Sequence, residues 1–304
     1  MTHRDAFFYV TGIGFLTLAK IKNVLRGYST PKPFDLSETD RAIDYDVRVV
    51  EEWLAHLKRY TRDDAFLTGR NVLELGPGSD LGIGLVLLAR GAARYNACDV
   101  NDLATKVPGG FYDALFDRLE RTASGVDVQA LRRELRTTGT GAQQRLNYVV
   151  RPDFDLIRAF GAATIDLVFS QAAFEHFDDI DATVAKLTAV CRPGAVIVAE
   201  IDLQTHSRWI RDKDPNNIYR YRDGLYNAFW FRGIPNRVRP YRYKQAFERN
   251  GWSNVTITPL TTRGDHASAA SGMSRPYVDG VNQMDCLSVV LCATRSGPAP
   301  VGAS

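Results

Sequence analysis

Cysteine is scarce in this chain. Four occur in 304 residues, at Cys98, Cys191, Cys286 and Cys292, with no CxxC pair and no histidine at ligand spacing. A disulfide framework and a cysteine-based zinc site are thereby excluded, and buried thiols in a reducing compartment are expected. An excess of charge of one sign is also lacking: 38 Lys and Arg face 35 Asp and Glu, a formal net charge of +3. That balance does not suit a protein dominated by nucleic-acid phosphates, so partners must be read from local segments. Long hydrophobic runs are missing too. The one candidate, AFFYVTGIGFLTLA at residues 6–19, is shorter than the roughly 20 residues that span a bilayer. Little positive charge precedes it, and Lys20, Lys22 and Arg26 follow it, the reverse of a secretory signal. A cytoplasmic protein is expected. Its first helix either packs on the domain or on a second copy in a homodimer, or lies in a membrane interface, peripheral at the inner face, with its basic end at the headgroups. There is no internal repeat.

What is present is an alternation. After Pro31 and Pro33, a capping stretch at residues 36–40 precedes apolar positions Ile43, Val47, Val50, Trp53, Leu54 and Leu57 at helical spacing. From residue 71 onward, β-branched and leucine-rich runs alternate with helical stretches, as in a parallel sheet covered on both faces. Strands are predicted at 71–75, 94–98, 146–150, 165–170, 195–201, 255–258 and 284–293, with helices near 82–90, 111–121, 128–136, 180–190 and 241–250. The fold class is therefore α/β, a doubly wound, seven-stranded Rossmann-like sheet. The N-terminal helices (1–60) are read as a cap or interface, the main domain as 61–296, and the small-residue, proline-rich 297–304 as a disordered tail. Insertions at 101–144 and 204–240 follow the second and fifth strands; the second, helical and aromatic, is placed where such sheets bind ligands.

The most informative segment is VLELGPGSDLG at 72–82. A buried strand ends in Glu74 and enters a turn in which Gly76 and Gly78 allow positive φ and let a ligand approach the backbone at a helix N-terminus. Asp99 ends the next apolar strand, where a carboxylate can take both hydroxyls of a ribose. A carboxylate at the first strand tip is a poor neighbour for a pyrophosphate, which argues against a dinucleotide. These residues resemble the first two motifs of the class I S-adenosylmethionine-dependent methyltransferases, in which the first carboxylate lies near the methionine ammonium group. The likeness continues in RPDFD, with Asp153 placed for the adenine amino group and Asp155 as its neighbouring alternative. It extends through IDLVFSQAAFEHFDD (165–179) and CRPGAVIVAE (191–200), covering about 71–202. It departs from the commonest pattern at Ala195 and in the long insertion before the third strand. The resemblance implies S-adenosyl-L-methionine as cofactor and assigns it to Glu74, Gly76, Pro77, Gly78, Asp99, Val100, Asp153 and Ser170.

A sulfonium methyl is already activated, so alignment and exclusion of water supply most of the rate, and a hydroxyl acceptor gains further from a base. His176 follows the fourth strand, and His206 follows the fifth with Asp202 close by to orient it; structural roles for both histidines are the alternative. Glu200, Asp202 and His206 lack a further ligand, so no metal is assigned. Cations and aromatics interleave through 208–244, suiting sugar stacking and anion binding, with a dimer interface as the alternative. Trp209 and Tyr219 of that stretch are placed at the acceptor, and GIPNRVRPYRY (233–243), which resembles a segment of methyltransferases from glycan-biosynthesis loci, adds its Asn236-Arg237 pair. The expected activity is O-methylation of a sugar, glycolipid or other small-molecule hydroxyl, that is, glycan modification. The rivals are an RNA or other nucleic-acid methyltransferase, disfavoured by the absence of an Asn/Asp-Pro-Pro-aromatic motif, and a catalytically silent binding subunit.

Overall fold

The computed structural model describes residues 2–27, 38–104, 107, 110–123, 125–138 and 144–297. The proline break at 31–33, the capping residues 36 and 37 and nearly all of the predicted tail lie outside them. Two long helices come first, α1 (His3–Arg26) and α2 (Thr39–Thr61). Then follow β1 (Asn71–Leu75), α3 (Gly82–Ala89), β2 (Arg94–Asp99), α4 (Phe111–Thr122), α5 (Val128–Thr137), β3 (Leu146–Val150), α6 (Leu156–Phe160), β4 (Ile165–Gln171), α7 (Ile180–Val190) and β5 (Cys191–Asp202). The chain ends with α8 (Arg208–Arg211), α9 (Asp223–Ala228), α10 (Pro240–Arg249), β6 (Trp252–Thr262), α11 (His266–Ala269) and β7 (Cys286–Arg295).

All seven predicted strands form one sheet in the order β3-β2-β1-β4-β5-β7-β6. It is not wholly parallel, as the alternation had suggested, because β7 runs antiparallel to both β5 and β6. No crossover helix covers the sheet between β6 and β7, so β7 returns beside β6 as an antiparallel neighbour. β5 starts at Cys191, earlier than predicted: Cys191 pairs with Ile165, the register then shifts, and Val196 pairs with Leu167. The Arg192-Pro193-Gly194 turn is thus an irregularity within the strand.

Alternation along each strand builds two cores. Val72, Leu167, Phe169, Val196 and Val198 face α2, α3, α4 and α5. Leu73, Leu75, Val168, Ile197 and Ile201 face α6, α7 and α10. α2 belongs to the first core: Trp53 stacks flat on Phe169 with centroids 4.7 Å apart, and its indole donates to Gln171 Oε1 at 3.1 Å. Burying a side chain such as Leu57 there contributes about 1.5–3 kcal/mol. The four cysteines are buried free thiols.

α1 joins neither core. It packs with the insertion and with the β6–β7 connection in a third cluster containing Leu16, Ile218, Tyr219, Tyr221 and Met284. Buried polar bonds fasten it: Arg220 bridges Asp5 at 3.1 Å and Asp214 at 2.7 Å, and Asn217 donates to the Phe8 carbonyl. Gly12 lies so close to Asn217 Oδ1 and the Tyr221 hydroxyl that a Cβ there would overlap both. A cap therefore sits over the carboxyl ends of the strands, built from three segments distant in sequence.

Candidate functional site

Glu74, one residue before the end of β1, is buried and accepts the Tyr95 hydroxyl of β2 at 2.5 Å. The chain then takes positive φ at Gly76 (69°) and Gly78 (76°), a region that disfavours side chains. A Cβ on Gly78 would meet nothing within 4 Å, whereas one on Gly76 would come to 3.2 Å from the Ala173 Cβ. Backbone bared toward open space at the end of a buried strand is a surface for a ligand to lie against. Asp99, at the end of β2, accepts the Asn101 amide at 3.0 Å and a backbone bond from Gly78. Its burial raises the carboxyl pKa, opposed by those bonds.

A cavity of about 1240 Å³ opens in front of this loop, larger than a single drug-sized ligand usually occupies. Glu74, Gly76, Pro77 and Gly78 line one end, and Glu175, His176, Asp202 and His206 line another part. Phe15, Leu18 and Lys22 of α1, with Trp209 and Phe231 of the insertion, complete the wall. The cavity thus brings the predicted glycine loop and all three predicted catalytic residues together.

The second group has unusual chemistry. Glu175 and His176 lie in a 3-10 turn, Phe174–His176, just beyond β4. Glu175 is 2% exposed, and no side chain bonds its carboxyl oxygens, which only the backbone of Glu175 and Asp202 approaches. Burial pushes its pKa well up, and the negative charge of Asp202 adds to this. His176 is held below the usual histidine value by burial, against a bond to the Gly233 backbone, and its Nδ1 has no partner. Burial likewise takes His206 down to about 3, with His176 and Arg211 contributing. The two rings meet edge to face with centroids 4.8 Å apart.

The Asp202–His206 pair differs from expectation. Asp202 Oδ2 is 3.6 Å from His206 Nε2, beyond hydrogen-bond reach, and takes Arg211 Nη1 at 2.5 Å instead. His206 is left neutral and is a weaker proton acceptor than the sequence suggested. Asp153 stands outside the cavity wall, where a forked bond from Arg151 holds it down to about 2. Ser170 is fully buried within β4 with an unbonded Oγ, and Val100 packs beside the second core.

Of the four residues expected at the acceptor, only Trp209 lines the cavity. Arg237 is spent on the Ile218 and Tyr221 carbonyls and on Asp223. Asn236 holds the Phe174 and Phe177 carbonyls, and the Tyr219 hydroxyl donates to Leu203 O. These three build the cap and fix the Glu175–His176 turn. The wall residues that sequence reasoning missed, Phe15, Lys22 and Arg211, carry no local motif; Glu175 was visible only as half of the Glu-His pair.

Residues 107–199 match the model of a family described as a methyltransferase domain. The match begins after the glycine loop, so the loop's role rests on its geometry and on its likeness to the class I motifs. No curated protein matches the chain. Among solved structures, the chain is similar to the CurJ carbon methyltransferase at 14% identity and a TM-score of 0.40, covering 76% of this chain and 50% of that one. It is similar to phosphoethanolamine N-methyltransferase 2 of Haemonchus contortus in complex with S-adenosyl-L-methionine, at 15% and 0.46, covering 81% and 53%. An S-adenosylmethionine-dependent methyltransferase from Mesorhizobium loti aligns at 12% and 0.41, covering 75% and 92%. The chain spans about half the length of the first two. The fold is a Rossmann-like α/β sheet, and S-adenosylmethionine is the cofactor that the methyltransferase domain matched by residues 107–199 implies.

Proposed function

We propose that this chain, whose residues 107–199 match a methyltransferase domain, uses S-adenosylmethionine to methylate a hydroxyl of an amphiphilic acceptor, a sugar or glycolipid, at a membrane surface. The residues present fit the donor: Gly78 bares backbone to open space, and Glu74 supplies a buried carboxylate on the cavity wall. Gly76, Pro77 and Gly78 would hold it, with Asp99 tied to the loop behind them. When bound, the donor supplies a methyl group on a positively charged sulfur. Phe15 and Phe231 would exclude water from the reacting atoms, and His176 and His206 line the wall that the acceptor would face.

The observation that carries the acceptor class is the outer face of α1. Phe7, Val10, Leu18, Ile21, Val24 and Leu25 form an exposed apolar stripe at helical spacing, with Leu18 61%, Val24 75% and Leu25 77% exposed. Its C-terminal half also lines the cavity through Leu18, Ala19, Lys22 and Asn23. A helix lying in the headgroup region on this stripe, with Lys20 and Lys22 beside it, would present an acyl-linked acceptor at the cavity mouth. Among the described residues no helix is long and apolar enough to cross a membrane, so contact would be peripheral.

The experiment follows labelled methyl groups from the donor into lipid-linked glycans, soluble sugars and RNA. Label in the lipid fraction, together with binding to anionic vesicles that falls about tenfold or more in Val24→Asp/Leu25→Asp, supports the proposal. Label confined to RNA, or a wild type that ignores vesicles and dimerises through the stripe, overturns the membrane acceptor.

A further inference from the structure

Three side chains on the cavity wall bring ligating atoms together with no side-chain hydrogen bond to engage them. Among the described residues, Glu175, His176 and His206 form a group whose ligating atoms all lie within 4.8 Å of one another. His176 Nδ1 and His206 Nε2 are buried without a hydrogen-bond partner, and no side chain bonds either Glu175 oxygen, which only the backbone of Glu175 and Asp202 approaches. Such orphans are rare, because each costs about 1–3 kcal/mol, and more for a charged group. Here one ligating atom from each of three side chains converges.

We propose that Glu175, His176 and His206 bind a divalent transition-metal ion, zinc-like or iron-like, with open coordination positions facing the cavity.

The chemistry of the donor set supports this site. Two imidazoles and one carboxylate are a ligand combination of open, catalytic metal sites, whereas closed structural zinc sites use four protein ligands. Imidazole binds a metal through a nitrogen that carries no proton, and His176 Nδ1 and His206 Nε2 are nitrogens without a hydrogen-bond partner. A backbone bond to Gly233 engages the His176 ring and leaves Nδ1 without a partner; metal-bound histidines characteristically donate their second nitrogen to a carbonyl or carboxylate. Arg211 neutralises Asp202 at 2.5 Å, which leaves Glu175 as the carboxylate without a cation. Ligands about 2.1 Å from a common ion stand about 3.4 Å apart, so the group closes on an ion through side-chain rotation of about 1 Å.

The site deepens the proposed function and rests on it only for its consequence. An ion there lowers the pKa of a hydroxyl bound to it, which suits a cavity whose His206 is a poor base. Glu200, Asp202 and His206, the set considered from the sequence, are not the group the fold assembles.

The test titrates metal-free, full-length protein with Co²⁺ alone and follows visible ligand-field absorption, with calorimetry of S-adenosylhomocysteine run in parallel. The expected result is a saturable spectrum of nitrogen and oxygen ligation in the wild type. Glu175→Gln and His206→Ala should weaken Co²⁺ binding by more than about 100-fold while S-adenosylhomocysteine affinity stays within about threefold. The wild-type spectrum requires no variant to fold. No such spectrum, or equal Co²⁺ affinity in variants that still bind S-adenosylhomocysteine, overturns the metal site and leaves the methyltransferase reading standing. A saturable Co²⁺ spectrum in protein that ignores S-adenosylhomocysteine does the reverse.

Discussion

The two halves of the cavity are built in different ways. The glycine-loop end, proposed for the donor, is local: one strand and one turn place Glu74, Gly76 and Gly78 on its wall within five residues of sequence, and backbone conformation does most of the shaping. The other end, proposed for the acceptor, is assembled from α1, the Phe174–His176 turn, the chain after β5 and residues 231–235. Packing and buried ion pairs hold it together. A site made by local geometry tolerates little change at its glycines, whereas one made by docking is lost when the docking contacts are lost.

That contrast can be broken in four places. The largest effect is expected for Arg220→Met, which strands Asp5 and Asp214 in the cap. Removing one partner of a buried ion pair costs about 3–5 kcal/mol. Thermal unfolding should show an early loss of the cap, with S-adenosylhomocysteine still bound by the remaining fold. Next, Gly78→Val puts a branched side chain at positive φ into the open space before the loop. Strain of about 1–3 kcal/mol plus lost room should reduce S-adenosylhomocysteine affinity about 100-fold or more by calorimetry, with vesicle binding unchanged. Gly12→Ala tests docking alone. Its Cβ overlaps Asn217 and Tyr221, so about 1–3 kcal/mol of overpacking should raise proteolytic cleavage of α1 and leave donor affinity alone. The smallest effect belongs to Trp209→Ala, which removes an aromatic wall that stacks on Phe15 at 5.5 Å. The acceptor KM should rise several-fold, about 1 kcal/mol, with no change for the donor.

The same contrast explains what was legible from residues alone. All seven strands were, because most are apolar runs bounded by turn residues and β6, though mostly exposed, is rich in β-branched residues. The Glu74–Gly78 turn was legible for the same reason: its chemistry is contiguous. The antiparallel return of β7 was not, because pairing direction depends on a 263–285 connection that lacks any periodic signal. α1 was read as 6–19 and runs His3–Arg26; its polar C-terminal turns hid the helix, and its apolar stripe emerges only when residues 7, 10, 18, 21, 24 and 25 are seen on one side. Arg237 and Tyr219 looked like acceptor contacts, since a buried arginine bonding carbonyls has the same composition as one that binds an anion. His206 lines the cavity as its distance past β5 suggested, but it does not bond Asp202, because nothing local showed that Arg211 would take that carboxylate.

The most direct test of the central claim, that the glycine loop opens onto a donor site, is calorimetric titration of S-adenosylhomocysteine into folded wild-type protein and into Gly78→Val. The account predicts saturable one-site binding in the wild type and its loss in the variant. Folded wild-type protein that gives no binding heat, or a variant that binds equally well, would contradict it.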